Sequence, residues 1–287
     1  MNKVAVITGT SSGVGLELAV MLAKEGYTTI ATMRNLSKQA TLLSKAESEK
    51  VSITVLPLDV QSAESVEACF KHVLAEYGRI DILVNNAGAG YVRTTEQATD
   101  EDVHTIMYIN FNGVVRCTRA VLPVMRQQSS GRIINVSSVG GLVGQPFNEI
   151  YCAAKFAVEG YTESLATYVQ PAFGIKFSLV EPGGISTEFV NNVMSRIMQT
   201  GGFIEDEYSP ILAKYVGGRE RRVERGEVDS FQTPTDVANV ILGVISQDEP
   251  PLRIRTSSWA EDLCRFKTQA DPTGKQQTDM VIKKFLE

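Results

Sequence analysis

Two rhythms of apolar and polar positions alternate along this chain. Short, continuously apolar runs are separated by longer amphipathic stretches. Val4-Ala5-Val6-Ile7 predicts a buried strand, and a helical pattern follows from about Val14 to Gly26. Tyr27 to Met33 and Val51 to Leu58 predict a second and third strand. Ile80 to Val84, Arg132 to Val136 and Ile175 to Glu181 add three more, with Leu252 to Arg255 a candidate seventh. Helical patterns lie near Ser62–Tyr77, Asp100–Arg126 and Ile150–Val169. Strands that are apolar throughout need cover on both faces. The prediction is an α/β fold, a doubly wound parallel sheet (Rossmann fold) of about seven strands. No linker or repeat divides the chain, so residues 1–287 read as one domain.

The segment from about Ser186 to Thr233 breaks this rhythm. It is helix-like and carries Phe189, Val190, Val193, Met194, Ile197, Met198, Phe203, Ile204, Ile211, Leu212 and Tyr215. An insertion after the sixth strand stands at the carboxyl edge of the sheet, where such folds bind ligands. Its apolar residues fit a lid over a bulky apolar substrate. They fit the packing face of two lid helices equally well.

Composition narrows the choices. The chain is 43% hydrophobic and 21% charged, an ordinary globular balance. A net charge of −5 argues against a phosphate-backbone binder, so no nucleic-acid partner is expected. The basic cluster Arg219 to Arg225 is interleaved with Glu220 and Glu224 and reads as a solvated face. No stretch reaches the roughly 18 apolar residues of a membrane span, and residues 1–7 lack a signal-peptide core. A cytoplasmic location is therefore expected. Cys69, Cys117, Cys152 and Cys264 are scattered as free thiols would be. His72 and His104 fall on solvated helix faces with no partner ligands, so no metal is expected.

The chemistry begins directly after the first strand, at Thr8-Gly9-Thr10-Ser11-Ser12-Gly13-Val14-Gly15. One glycine allows a tight turn, a second admits a pyrophosphate against the backbone, and a third lets helix and strand pack closely. The helix that starts here aims free N–H groups at the phosphates. At the end of the second strand, Thr32-Met33-Arg34 offers no carboxylate for the adenosine ribose. Arg34 could instead hold a 2′-phosphate. NADP is therefore the expected cofactor, with NAD the alternative.

Tyr151 and Lys155 are four residues apart and share a helix face. A free tyrosine titrates near 10. A neighbouring ammonium favours the phenolate and would let the pair move a proton at working pH. Taken alone, the pair would read as a half-buried tyrosine and a surface lysine on an amphipathic helix.

These motifs, in this order, resemble the short-chain dehydrogenase/reductase family in its single-domain branch. Asp59-Val60 ends the third predicted strand, Asn85-Asn86-Ala87-Gly88 follows the fourth, and Pro182-Gly183-x-Ile185-x-Thr187 follows the sixth. The likeness covers roughly residues 4 to 190. It implies a cofactor site of Gly9, Ser11, Ser12, Gly13, Val14, Gly15, Arg34, Asp59, Val60, Asn86, Ala87, Gly88, Tyr151, Lys155, Ile185 and Thr187. Asp59 would face the adenine, Asn86 to Gly88 the adenosine half, and Ile185 and Thr187 the carboxamide. Members using NADP often carry a basic residue just before Gly13, where this chain has Ser12.

The same likeness implies four catalytic residues. Tyr151 is the acid/base, and Ser138 holds the substrate oxygen. Lys155 also binds the nicotinamide ribose, and Asn110 positions a water in a relay through Lys155. The reaction expected is hydride exchange between a carbonyl and an alcohol, in a homodimer or homotetramer. A serine hydrolase at Ser137-Ser138 lacks the Gly-x-Ser-x-Gly elbow, and both histidines precede the serines. A nucleotide-binding sensor without turnover remains an alternative, although all four catalytic positions are filled. Dehydratases and epimerases on this scaffold tend to have a longer substrate domain and a differently spaced glycine motif.

Overall fold

The computed structural model describes residues 2–199, 201–226 and 231–286. Its strands in chain order are β1 (Val4–Thr8), β2 (Thr28–Met33), β3 (Thr54–Pro57), β4 (Ile82–Asn85), β5 (Gly131–Val136), β6 (Ile175–Glu181), β7 (Gly184–Ile185), β8 (Phe231–Gln232) and β9 (Arg253–Arg255). The helices are α1 (Gly13–Lys24), α2 (Ala40–Ser48), α3 (Ala63–Tyr77), α4 (Asp100–Met107), α5 (Gly113–Gln127), α6 (Glu149–Phe173), α7 (Glu188–Gln199), α8 (Ser209–Val216), α9 (Gly218–Glu224), α10 (Pro234–Ser246), α11 (Ser258–Thr268) and α12 (Lys275–Phe285).

Seven strands form one sheet in the order β3-β2-β1-β4-β5-β6-β9, with every neighbouring pair parallel. The chain winds outward from β1 in one direction, then returns to start β4 on its other side. That reversal opens a crevice at the carboxyl ends of β1 and β4. Parallel strands buried on both faces explain the unbroken apolar runs. On one face Leu18 and Leu22 of α1, Leu42 of α2 and Val237, Ile241 and Val244 of α10 pack against Ile7, Ala31 and Val84. On the other, Val66 and Phe70 of α3, Val121 and Met125 of α5 and Leu165 and Val169 of α6 pack against Val6, Leu83 and Ile133.

Three departures from the sequence reading have local causes. Strand β3 is shorter than expected and ends at Pro57, so Asp59-Val60 lies in the turn before α3. The stretch Asp100–Arg126 is not one helix. A π turn at Tyr108–Asn112 interrupts it, separating α4 from α5. Helices α2, α10, α11 and α12 and the short parallel pair β7–β8 were not anticipated, although Thr233 and Asp236 form a capping box at the start of α10.

The inserted segment holds α7, α8 and α9. Ile197 is buried there, whereas Met194, Met198, Phe203, Ile204 and Ile211 are exposed. The side chains of Phe189 and Val190, together with residues 200 and 227–230 of the expected lid, lie outside the described residues. Among those described, no helix is long and apolar enough to cross a membrane.

Candidate active site

The crevice is built first from the absence of side chains. Gly9 has φ +72°, and a Cβ there would stand 2.8 Å from the Ala87 Cα. A Cβ on Gly15 would lie 2.5 Å from both the Gly9 carbonyl oxygen and the Asn86 Nδ2. Only glycine allows the first turn, the β4 loop and α1 to approach this closely. Thr8 completes the joint, its hydroxyl accepting from the Asn86 and Ala87 amides at 3.0 Å each.

Ser12 precedes α1 in an extended conformation, and its side chain makes no capping hydrogen bond. The first-turn N–H groups of α1 therefore point outward without a side-chain acceptor, which suits an anion. Thr187 closes this end of the crevice, since a Cβ on Gly13 would meet its Cγ2 at 3.2 Å. Ile185 sits in β7 beside it, paired with Gln232 of β8. A dinucleotide's pyrophosphate thus matches the cradle in shape and in donors.

Arg34 and Asp59 stand at the carboxyl ends of the adjacent strands β2 and β3, the Leu58 amide donating to the Met33 carbonyl at 3.1 Å. Arg34 is exposed and makes no hydrogen bond or ion pair with any described residue. The Asp59 carboxylate accepts from the Gln61 amide at 3.0 Å. Val60 is buried, and its carbonyl takes a bond from Arg116 at 3.1 Å. Asn86 turns away from the crevice, because its Nδ2 donates to the carbonyls of Thr8 and Gly9 at 2.9 Å each. It braces the glycine turn, leaving Ala87 and Gly88 to line the opening.

At the other end, Ser138 follows β5 and Tyr151 lies in the first turn of α6. Their hydroxyls hydrogen-bond each other, while the Ser138 Oγ also accepts from the Gly140 amide at 3.0 Å. Lys155 is buried on the same face of α6. Its Nζ donates to the Val136 carbonyl at 2.8 Å and stands 5.8 Å from the Tyr151 ring centroid. A Cβ on Gly88 would lie 2.9 Å from the Asn110 Oδ1 and 3.8 Å from the Lys155 Nζ, so Gly88 separates those two side chains. Asn110 is fully buried in the π turn. Its amide donates to the carbonyls of Ala89 and Ile106, and its oxygen accepts from the Ala89 amide.

Electrostatics here runs against the simple sequence expectation. Burial pushes the Tyr151 hydroxyl up to about 12, and the hydrogen bond with Ser138 only partly opposes it. The Lys155 ammonium is itself pulled down to about 8 by burial, with Glu159 acting the other way. Desolvation is thus the largest influence on both groups, and the Lys155 Nζ is turned toward the Val136 carbonyl.

Sequence reasoning missed the Val136 carbonyl, since a backbone acceptor leaves no side-chain signal. It also missed the buried ladder Asn85–Asn135–Thr162, joined by two 2.8 Å bonds, which ties β4 and β5 to α6 beneath Tyr151 and Lys155. His72 and His104 are exposed on α3 and α4. All four cysteines are buried and free. Among the described residues no group of three or more His, Cys, Asp or Glu gathers as metal ligands would.

Comparison with known proteins agrees with this geometry. A family model described as short chain dehydrogenase matches residues 3–197. Retinol dehydrogenase 8 of Bos taurus is 41% identical over 285 residues, covering 95% of this chain and 86% of the relative. Estradiol 17-beta-dehydrogenase 1 of Rattus norvegicus is 36% identical over 287 residues, covering 97% and 80%. Among solved structures, F189W actinorhodin polyketide ketoreductase with NADPH superposes with a TM-score of 0.73 at 29% identity, covering 85% of this chain and 90% of the other. A short chain dehydrogenase/reductase from Burkholderia phymatum, in complex with NAD, gives 0.78 at 25% identity and 93% coverage of both chains.

Proposed function

This chain belongs to the short chain dehydrogenase family, and from that premise we propose that it interconverts an apolar ketone or aldehyde and its alcohol using NADP(H). Oxidoreductase chemistry at alcohol and carbonyl groups is the activity it shares with its relatives. One observation carries the finer reading. Two hydroxyls, those of Ser138 and Tyr151, converge beside a buried lysine at the mouth of a glycine cradle.

When bound, the nicotinamide supplies or accepts the hydride. In reduction, Ser138 holds the substrate oxygen and Tyr151 delivers its proton there. Lys155 favours the phenolate left behind and, by family likeness, also holds the nicotinamide ribose. Asn110 locks the π turn against Ala89. With its amide so engaged, any water it holds for the relay is met by its main chain.

Arg34, exposed and unpartnered among the described residues, supports NADP over NAD through a 2′-phosphate. Helices α7 to α9 act as the substrate lid. Their exposed apolar side chains, and relatives named for retinol and estradiol, support a bulky apolar substrate. Exposed Phe156 and Tyr168 on α6 support assembly of this chain as a homodimer or homotetramer.

The test follows oxidation of NADPH and NADH separately against small and bulky carbonyls, with Tyr151→Phe as control. Turnover of bulky apolar carbonyls with NADPH, lost in the variant, supports the reading. NADPH binding without turnover anywhere on the panel overturns it in favour of a sensor.

A further inference from the structure

A second polar centre lies one helical turn beyond Lys155. Tyr151, Lys155 and Glu159 follow one another at intervals of four along α6 and share a face. Glu159 is 5% exposed, and Glu181, at the end of β6, is 0% exposed. A Cβ on Gly141 would lie 2.7 Å from the Ser137 Oγ and 3.0 Å from the Glu159 Oε1, so those two side chains are neighbours, and the Glu159 and Glu181 carboxyls act on each other's ionisation. Arg253 and Arg255 of β9 approach Glu181, Nε to Oε1 at 3.4 Å and Nη1 to Oε2 at 3.3 Å. Both guanidinium groups are also engaged outward, Arg253 by Glu163 of α6 and Arg255 by Glu261 of α11 at 3.0 Å. Among the described residues the remaining titratable neighbour is Cys264 of α11, whose thiol burial pushes up to about 12 and so keeps neutral.

None of these groups takes part in the chemistry described above, yet an idle buried acid pair is costly. Both Glu159 oxygens, the Glu181 Oε1 and the Ser137 Oγ have no well-formed hydrogen bond. Two ionised carboxylates are acceptors only, whereas a proton on one makes it a donor. Burial raises both acids, and for Glu181 the neighbouring Glu159 raises it further. Like charges this close cannot both ionise readily. On the other side of Glu159 stands Lys155, whose ammonium it favours against burial.

We propose that Glu159 and Glu181 share one proton and one negative charge, and that this charge positions the acid/base machinery by keeping Lys155 protonated beside Tyr151. The inference rests on the Tyr151–Lys155 reading above, but it can be tested without turnover. Glu159 is thus a positioning residue, acting on the reaction only through Lys155. The two acids should then have opposite effects. Glu159→Gln removes the charge that faces Lys155. Glu181→Gln removes the competitor for it and concentrates the charge on Glu159.

The experiment is a pH titration of protein carrying 13Cε-lysine, followed by NMR, with the Lys155 resonance assigned by its loss in Lys155→Arg. The Lys155 midpoint, near 8 in the parent, should fall by about one pH unit in Glu159→Gln, roughly tenfold in ionisation constant. It should rise in Glu181→Gln. Where carbonyl reduction is measurable, the alkaline limb of the rate profile should move in the same two directions. Midpoints that stay put, or that move together, overturn the proposal. If Glu159→Gln does not fold, a midpoint in Glu181→Gln that fails to rise is enough to sink it. Absence of turnover with a shifting midpoint would count against the proposed reaction alone.

Discussion

The crevice at the ends of β1 and β4 and the proposed lid of α7 to α9 lie next to each other and are made differently. The crevice is crowded and polar inside. Thr8, Asn86, Asn110 and Lys155 are each held by a hydrogen bond to backbone, and added Cβ atoms at Gly9 and Gly15 would collide. The lid leaves Met198 66% exposed and Ile211 53% exposed. The contrast teaches that the geometry of the crevice is over-determined, whereas the apolar surface proposed for substrate is only loosely shaped.

The sharpest way to break the comparison is at its rigid side. Tyr151→Phe should lower kcat by about a thousandfold while cofactor affinity, measured by fluorescence quenching, stays within about twofold. Gly9→Ala should come next, because the left-handed backbone alone costs ~1–2 kcal/mol with any side chain and the Cβ meets Ala87. Thermal unfolding should show a Tm lower by several degrees, and calorimetry cofactor binding weakened more than tenfold.

Arg34→Ala is milder. Losing one charge-assisted contact of ~1.5–3 kcal/mol should raise the KM for NADPH by at least about tenfold and leave that for NADH unchanged; equal changes for both would remove Arg34 from the 2′-phosphate. The smallest effect belongs to the lid. Phe203→Ala at a site 42% exposed should move stability by no more than about 0.5 kcal/mol, yet raise the KM for bulky carbonyls a few-fold and leave small ones alone. A Phe203 variant that unfolds instead would mean the lid is packing and not specificity.

Legibility in the sequence followed the same divide. The strands were readable because burial on both faces leaves continuous apolar runs such as Val4 to Ile7, and the glycine turn because positive φ and close approach demand a particular residue. The π turn was not readable. Residues 108–112 continue a helical pattern, and only the Gly113 amide, bonded back five residues to the Tyr108 carbonyl, reveals the extra residue. Asn86 follows β4 in the same loop as Ala87 and Gly88, but no spacing rule says which way an amide turns. Helix α12 has no buried residue to create a periodic stripe. Glu159 and Glu181 are 22 positions apart in the chain, and only the packing of α6 on β6 makes them a pair.

Helix α6 has a mechanical consequence. Its 25 residues make a rod about 37 Å long, with Tyr151 and Lys155 carried near one tip. Val158, Thr162, Leu165, Ala166 and Val169 clamp the shaft. A tilt of about one degree at the far end would swing the tip by roughly 0.6 Å, as much play as a catalytic group tolerates. Damage to the shaft can therefore act as misalignment before it acts as unfolding. A small cavity beneath Leu165, some 14 residues from Tyr151, would blunt the enzyme while leaving every reacting group in place.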